Sequence, residues 1–226
     1  TLSLMNLLIN FPIPIIFALL LNEIRSVFLK KFVQTVSYMP RFISTVVVIA
    51  MAAEILSPST GILNLLLKNM FDIQPIYFMN EPSYFRVLYI FTDTWQYMGW
   101  TAIIYLAALT SVDPGLYEAA RVDGVNKFQK IWYIDLPCIR NTIVIMFILN
   151  MGFVMSLGFE KAFLMQNPLN LETAEIMSTY VYKMGLVNND FSYSTAIGVI
   201  NSIINVALIL LFNYLAKLRQ KDGGLW

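Results

Sequence analysis

Long apolar segments alternate with shorter polar stretches along this chain. Five of the segments are apolar over about the length of a membrane helix, and they cover residues 2–22, 36–56, 85–110, 139–159 and 191–216. A helix needs roughly 20 mostly apolar residues to cross the hydrocarbon core of a bilayer. The pattern therefore predicts an all-α integral membrane protein with five spans, in which residues 1–226 form a single domain.

Two of the predicted spans carry residues that should interrupt or shorten a helix. Pro12 and Pro14 lie in the first span. Because proline lacks an N–H and clashes with the preceding turn, we expect a kink or local unwinding there. In the second span, Arg41 and Glu54 flank a short uncharged core. We expect both at helix ends, with the Arg41 side chain reaching the lipid headgroups.

The composition supports a membrane location and excludes several kinds of enzyme. Hydrophobic residues make up 58% of the sequence and charged residues 13%, against about 25% charged in soluble proteins. The sequence has no histidine, a single cysteine and no G-x-x-x-x-G-K-[ST] phosphate loop. The commonest general base, the usual zinc ligands and a P-loop for ATP are therefore missing. We expect no catalytic activity, no metal or cofactor bound by the chain itself and, at a net charge of +1, no nucleic-acid partner.

Lysines and arginines are distributed unevenly over the stretches between the predicted spans. Eleven lie on one side of the predicted membrane, at positions 25, 30, 31, 41, 121, 127, 130, 140, 217, 219 and 221. Four lie on the other side, namely Lys68, Arg86, Lys161 and Lys183. The positive-inside rule then places the loop 111–138 and the C-terminus in the cytoplasm, and the segments 57–84 and 160–190 outside.

The loop 111–138 carries the start and stop signals of a helical hairpin. Asp113 followed by Pro114 is typical of an N-cap with proline at the first helical position. Gly124 stands where a left-handed cap would end the first helix. Asn126 can then cap a second helix, with Gln129 three residues later completing a capping box.

The two predicted helices of this hairpin have different faces. Ala119 and Ala120 keep one face of the first helix narrow, so that another backbone can approach it closely. Phe128, Ile131 and Trp132 give the second helix an apolar face. The loop is either an ordinary connection between spans or a docking element. We favour docking, because most ordinary connections are only a few residues long.

The loop also contains a spaced motif: Glu-Ala-Ala, three residues, Gly, nine residues, Ile, one residue, then Leu-Pro. Its positions are Glu118, Ala119, Ala120, Gly124, Ile134, Leu136 and Pro137, and we expect Leu136-Pro137 to end the second helix. This stretch resembles the EAA motif in permease subunits of bacterial binding-protein-dependent ABC importers. In that family, the EAA helices sit in a cleft of the ATPase and carry its closure to the spans. Glu118 either pairs with an arginine of the ATPase or caps its own hairpin.

Further segments are similar to oligosaccharide and polysaccharide permeases of the LplB type. They are residues 18–25, 37–40, 159–161, 178–182 and 224–226. The resemblance implies a type I ABC importer transmembrane domain (MetI-like) in the bacterial cell membrane. Members of this family usually have six spans, so we expect one upstream span to be missing before Thr1.

The resemblance also implies a set of partners and a cargo. The partners are a second, related permease subunit that forms a heterodimer, two ATP-binding subunits that hold ATP and Mg²⁺, and an extracellular solute-binding lipoprotein. Membrane lipid surrounds the assembly. The implied cargo is a carbohydrate, and an oligosaccharide in particular. The alternatives are a permease of the same type for another solute, a secondary transporter, or a scaffold or channel subunit without a transport cycle.

Polar and aromatic residues in the spans are candidates for the substrate path. Polar groups inside a membrane are costly and often functional, and aromatic rings can stack on sugars. The candidates are Asp93, Trp95, Gln96, Asn150, Glu160 and Asn201, joined by Tyr97, Trp100, Tyr105, Ser156 and Asn205. The alternative roles are interfacial anchoring for the aromatic residues and helix association for the polar ones. Glu160 either lines the outer mouth or pairs with Lys161 or Arg86.

Overall fold

The computed structural model describes residues 1–219, and this part of the chain is helical, with no strand. The first seven α-helices are α1 (Leu2–Asn10), α2 (Pro12–Asn22), α3 (Val27–Tyr38), α4 (Thr45–Ile55), α5 (Ile62–Phe71), α6 (Pro82–Thr110) and α7 (Pro114–Val122). They are followed by α8 (Lys127–Lys130), α9 (Leu136–Cys138), α10 (Arg140–Met151), α11 (Phe159–Met165), α12 (Leu171–Ala174), α13 (Met177–Tyr182) and α14 (Phe191–Arg219). A 3₁₀ turn covers Met39–Phe42, and π-helical turns cover Ile131–Asp135 and Lys183–Val187.

Helix α6 is the central helix of the bundle. It has 29 residues, or about 44 Å at 1.5 Å per residue, and α1, α2, α3, α10 and α11 all pack against it. At the α2 contact, Ala18 and Ala102 are both completely buried. Small side chains let two membrane helices approach closely, and the gain in van der Waals contact then stabilises the pair.

The first predicted span has a local interruption next to its prolines, where we expect one. The helix stops at Asn10, Phe11 forms a turn, and α2 begins at Pro12. The expected local interruption is confirmed. By length and hydropathy, Leu2–Asn22 still qualifies as one membrane span.

The predicted span 36–56 is not one helix. Val27–Phe42 and Thr45–Ile55 meet at a bend of 101°. Pro40 lies in the 3₁₀ turn, and the Ser44 hydroxyl accepts a hydrogen bond from the backbone N–H of Val47, which starts a new helix. The hydropathy pattern did not show the bend, because both arms are apolar.

Both charged residues of this segment lie at helix ends, as expected. Glu54 is in the last turn of α4, and Arg41 is in the 3₁₀ turn before α4. The Arg41 guanidinium lies 5.0 Å from the centre of the Tyr97 ring, near the middle of α6, and makes a cation–π contact with it. The contact of the Arg41 side chain with the lipid headgroups stays a prediction.

The predicted span 139–159 is also shorter and bent. Helix α10 ends at Met151, and Lys127–Cys138 meets it at an angle of 64°. Gly152 follows α10 where α14 crosses, and a Cβ on this residue would overlap the side chain of Ile209. The chain therefore leaves α10 at a residue against which α14 packs closely.

Length and hydropathy support some of the predicted spans directly. Within residues 1–219, Leu2–Asn22 and Phe191–Leu218 are long and apolar enough to cross a membrane as single helices. The two bent pairs satisfy the same criterion when each is taken as one broken span. Helix α6 has the length to cross but carries Asp93 and Gln96 in its interior. The count of five spans and their direction stay predictions, and Lys221 and the segment 224–226 lie outside the described residues.

A glycine in α6 provides a test of this packing. Gly99 lies against the end of α3, and a Cβ there would overlap the carbonyl oxygen of Ser37. We expect Gly99→Val to lower the thermal unfolding temperature of the purified protein, because overpacking of this kind costs about 1–3 kcal/mol. The matched control is Gly198→Val in α14, where a Cβ meets nothing within 4 Å. Equal stability of the two variants would contradict the close α3–α6 contact.

Candidate functional site

The loop 111–138 folds as the capped hairpin that its sequence predicts. The Asp113 carboxylate accepts a hydrogen bond of 2.9 Å from the backbone N–H of Gly115 and caps α7. Gly124 has a φ of 71°, in the left-handed region where glycine is favoured. Asn126 and Gln129 form the reciprocal capping box, with bonds of 2.9 and 3.0 Å. Each of these predictions is confirmed, and the caps give the hairpin a defined shape.

The second arm of the hairpin is wider than a regular helix. After α8 the chain makes a π-helical turn, Ile131–Asp135, and then the short helix α9, which ends one residue beyond Pro137. A proline removes a backbone donor and crowds the carbonyl four residues earlier. A π-turn immediately before it gives the chain extra room, and such turns often occur at functional sites.

Four of the seven EAA residues line a shallow groove on the hairpin. The groove has a volume of about 450 Å³, and its lining includes Ala119, Ala120, Gly124 and Ile134. Ala119 is exposed and Ala120 is buried. A Cβ on Gly124 would meet no atom within 4 Å, so this part of the groove is open. Small residues therefore line a surface that another protein can reach.

Large apolar side chains around the hairpin are left uncovered. Val122 is 87% exposed, Phe128 85% and Trp132 68%. Ile131, which we expected on the same face, packs instead against the buried cluster of α2 and α6. Ile131 and Trp132 therefore have different surroundings, since one packs on the bundle and the other is exposed. An uncovered apolar surface of this kind marks a contact with another protein or with the membrane.

Glu118 has no partner of its own in the hairpin. Its side chain is exposed, and among residues 1–219 this side chain makes no hydrogen bond or ion pair. The caps are provided by Asp113 and Asn126. The alternative in which Glu118 caps its own hairpin is therefore not the one observed.

The base of the hairpin contains a buried carboxylate that the motif does not include. Asp135 is 0% exposed and accepts a hydrogen bond of 2.8 Å from the Tyr117 hydroxyl. The Lys130 ammonium lies 3.6 Å from the other carboxylate oxygen and 5.1 Å from the centre of the Tyr117 ring. Burial and the bond to Asp135 raise the pKa of Tyr117 above its ordinary value, so its hydroxyl keeps its proton at physiological pH.

A second feature, a cavity of about 410 Å³ lined by both polar and apolar side chains, lies between α1, α6 and the segment 150–161. Its lining includes Asn6, Asn10, Asp93, Tyr97 and Lys161. Amides, a phenol and charged groups here face an open space inside an otherwise apolar bundle. A cavity of this kind can accept a polar ligand.

A network of polar groups crosses this cavity. The Lys161 ammonium, whose side chain is 4% exposed, forms an ion pair of 2.8 Å with Asp93. The second Asp93 oxygen accepts a 3.0 Å bond from the side-chain N–H of Asn10, and the Thr94 hydroxyl donates to the side-chain oxygen Oδ1 of Asn10. The Asn10 amide also donates to Asn6 at 2.6 Å. Helices α1, α6 and α11 are thereby joined through side chains that the bilayer would not solvate.

Three of the six predicted path residues line this cavity: Asp93, Asn150 and Glu160. Glu160 is exposed, and within the described chain it pairs with neither Lys161 nor Arg86, since Lys161 pairs with Asp93. The outer-mouth alternative is the one that agrees with this placement.

The other three predicted residues do not line the cavity. Trp95 is 41% exposed on the outer face of α6. Gln96 is 1% exposed and donates to the Ile43 carbonyl at 2.9 Å, so it holds the bend before α4. Asn201 donates to Ser156 at 3.4 Å from α14. The geometry gives Gln96 a structural role instead of a place in the path.

The accompanying candidates divide in the same way. Tyr97, Tyr105 and Ser156 line the cavity. Trp100 is 45% exposed and meets Phe42 edge to face, while Asn205 donates to Ser156 at 2.9 Å. Asn6, Asn10 and Lys161 were not predicted as path residues. The spacing of Asn6 and Asn10, four residues apart in an uncharged span, was a signal that could have identified them.

Comparison with known proteins gives the family of the chain. The family model for the binding-protein-dependent transport system inner membrane component matches residues 10–221. The polygalacturonan/rhamnogalacturonan transport system permease protein YteP of Bacillus subtilis is 46% identical over 219 residues, which cover 97% of this chain and 68% of YteP. Protein LplB of the same organism is 41% identical over 219 residues, with 97% of this chain and 69% of LplB covered.

A solved structure agrees with these sequence relatives. A chain of the bacterial alginate ABC transporter, crystallised in complex with an alginate pentasaccharide-bound periplasmic protein, superposes with a TM-score of 0.95 at 39% identity. The match covers 98% of this chain and 76% of that one. The chain thus belongs to the family of binding-protein-dependent transport system inner membrane components, as a permease subunit of a bacterial ABC transporter.

Proposed function

We propose that this chain is the membrane-spanning permease subunit of an ATP-driven carbohydrate importer, coupled to a separate ATPase through the loop 111–138. The observation that supports coupling most strongly is the shape of the hairpin. Its base packs on the bundle through Ile131, while the groove around Ala119 and Gly124 and the apolar side chains beside it are uncovered. A capped hairpin that is buried at its base and exposed at its tip can transmit a movement of the ATPase to the spans.

The proposed cargo is an oligosaccharide. Two of the relatives are named for the transport of polygalacturonan/rhamnogalacturonan and of alginate, which are polysaccharides. In this chain the cavity offers the amides of Asn6 and Asn150, the ring of Tyr97 and the carboxylate of Glu160. Amides and carboxylates bind sugar hydroxyls, and an aromatic ring packs against the C–H face of a sugar. Part of the specificity belongs to the external binding protein.

The proposed assembly has the partners that the family implies. A second, related permease subunit completes the path, two ATP-binding subunits hold ATP and Mg²⁺, and an extracellular lipoprotein delivers the sugar. The loop 111–138 and the C-terminus face the cytoplasm of a bacterial cell. ATP-driven closure of the ATPase moves the hairpin, and its flanking spans then open the cavity alternately to the two sides.

Co-purification and vesicle uptake test this function directly. We expect an ATPase to co-purify with the chain when it is expressed with its membrane partners. The reconstituted complex should import labelled oligosaccharide only when ATP and the binding protein are present. Vanadate should block this uptake. Uptake driven by an ion gradient without ATP would establish a secondary transporter instead, and a complex without an ATPase would contradict the proposal.

Gly124 tests the docking surface. A Cβ at this position meets no neighbouring atom, and an aspartate in the left-handed conformation costs about 1–2 kcal/mol. We therefore expect Gly124→Asp to leave membrane insertion intact, to lower stability slightly and to uncouple ATP hydrolysis from uptake. Asparagine tolerates a positive φ well, and Asn189 of this chain has a φ of 57°. Gly124→Asn therefore separates the effect of bulk from that of charge. Normal uptake by both variants in reconstituted complexes would exclude close contact at Gly124.

The ion pair in the cavity gives a stability prediction. Asp93→Ala leaves the buried Lys161 ammonium without its counter-charge. Breaking a buried pair in this way costs about 3 kcal/mol or more, so we expect a lower thermal unfolding temperature of the purified protein. The control is Glu175→Ala, which breaks the more exposed 2.7 Å pair with Lys183 and should change stability little. An equal decrease of the unfolding temperature in both variants would show that the Asp93–Lys161 pair is solvated.

A further inference from the structure

The cytoplasmic end of α2 makes a direct polar contact with the hairpin. Glu23, the residue after α2, forms an ion pair with Lys130 at the end of α8. The side chains of Glu23 and Lys130 are 16% and 23% exposed, so the pair is largely removed from water. The same ammonium faces the buried Asp135 carboxylate at 3.6 Å. One cation therefore joins a carboxylate on the first span to a carboxylate on the hairpin.

We propose that Glu23 and Lys130, held in place by Asp135 and Tyr117, are the positioning residues through which a movement of the hairpin reaches the first span. This inference rests on the proposed coupling function and specifies which contacts carry it. None of these four residues is one of the seven EAA positions described above.

The connection is needed because of the order of the elements along the chain. The hairpin continues directly into α6 on one side and α10 on the other, so a push reaches those helices through the backbone. Helices α1 and α2 come much earlier in the sequence, and a push reaches them only through noncovalent contacts. The apolar contacts between the hairpin and α2 are non-directional, so they allow the two elements to slide past each other. An ion pair with supporting hydrogen bonds fixes a direction and a distance.

The surroundings of Lys130 favour a rigid contact. Tyr117 donates to Asp135 and lies beneath the Lys130 ammonium. Groups from α2, α7, α8 and the π-turn thus meet at one point. Removal of one partner would leave the fully buried Asp135 carboxylate without compensation, which is costly at low dielectric.

The first span also leads to the cavity. Helix α2 has 11 residues, or about 16 Å at 1.5 Å per residue. At its other end the Phe11 turn connects it to Asn10, whose amide bonds to Asp93 in the cavity network. A displacement of Glu23 along the axis of α2 therefore arrives at the side chains that line the proposed path.

Substitutions at both ends of the ion pair test this role in the complete reconstituted complex. Glu23→Gln breaks the contact to α2 but leaves Lys130 with Asp135, so the hairpin keeps its internal structure. We expect the ATPase to assemble and hydrolyse ATP, while sugar uptake per ATP falls about tenfold, within the usual range of coupling between sites. Lys130→Gln should lower the same ratio. Lys130→Arg, which keeps a cation able to bridge two carboxylates, should preserve it.

Two controls separate positioning from general damage. Lys127→Gln removes an exposed lysine from the same short helix and should leave uptake per ATP unchanged. In a Cys138→Ser background, Glu23→Cys and Lys130→Cys can be joined by a short thiol cross-linker. We expect cross-linking to restore coupling, because it replaces the ion pair by a covalent connection.

The outcomes distinguish this inference from the function on which it rests. Uptake per ATP in Glu23→Gln and Lys130→Gln equal to that of Lys127→Gln would overturn the inference. Loss of ATPase binding in Glu23→Gln would also overturn the inference, because the ion pair would then be needed for the folding of the docking surface. A wild-type complex without ATP-driven uptake would instead contradict the proposed function.

Discussion

The close packing of α2 against α6 holds the rest of the structure in place. Ala18 and Ala102 are completely buried at this contact, and without side-chain bulk the two helices approach closely enough for dispersion to stabilise them. Helix α2 carries Asn10 before its start and Glu23 after its end. The cavity network and the hairpin contact therefore both depend on the position of one helix pair.

The low polarity of the bundle explains why its polar groups occur in networks. A charged or amide side chain within a bilayer needs a partner from the protein, because lipid tails provide none. Asp93, Lys161 and Asn10 pair with one another in the cavity, and Lys130 lies between the carboxylates of Glu23 and Asp135 at the base of the hairpin. Each network joins helices that are distant in the sequence. Polar groups that are expensive to bury thus fix the relative positions of apolar helices.

The sequence predicted local features well and long-range ones poorly. The caps by Asp113, Asn126 and Gly124 depend on residues within a few positions, so their patterns were sufficient. The Asp93–Lys161 pair spans 68 positions, and no local pattern contains it. The 101° bend before α4 joins two apolar arms and leaves hydropathy unchanged. Of the candidate path, hydropathy indicated Asp93 and Asn150, but it could not show that Gln96 turns towards the backbone of Ile43.

Cross-linking from the EAA groove tests the central claim, that this hairpin transmits ATPase closure to the spans. With the cysteine at 138 replaced by serine, Ala119→Cys gives a single exposed thiol on the hairpin. We predict that it cross-links to the ATPase subunit in the assembled complex and that the yield changes when vanadate traps the closed nucleotide state. A complex that imports sugar while Ala119→Cys forms no cross-link to the ATPase in any nucleotide state would contradict the account.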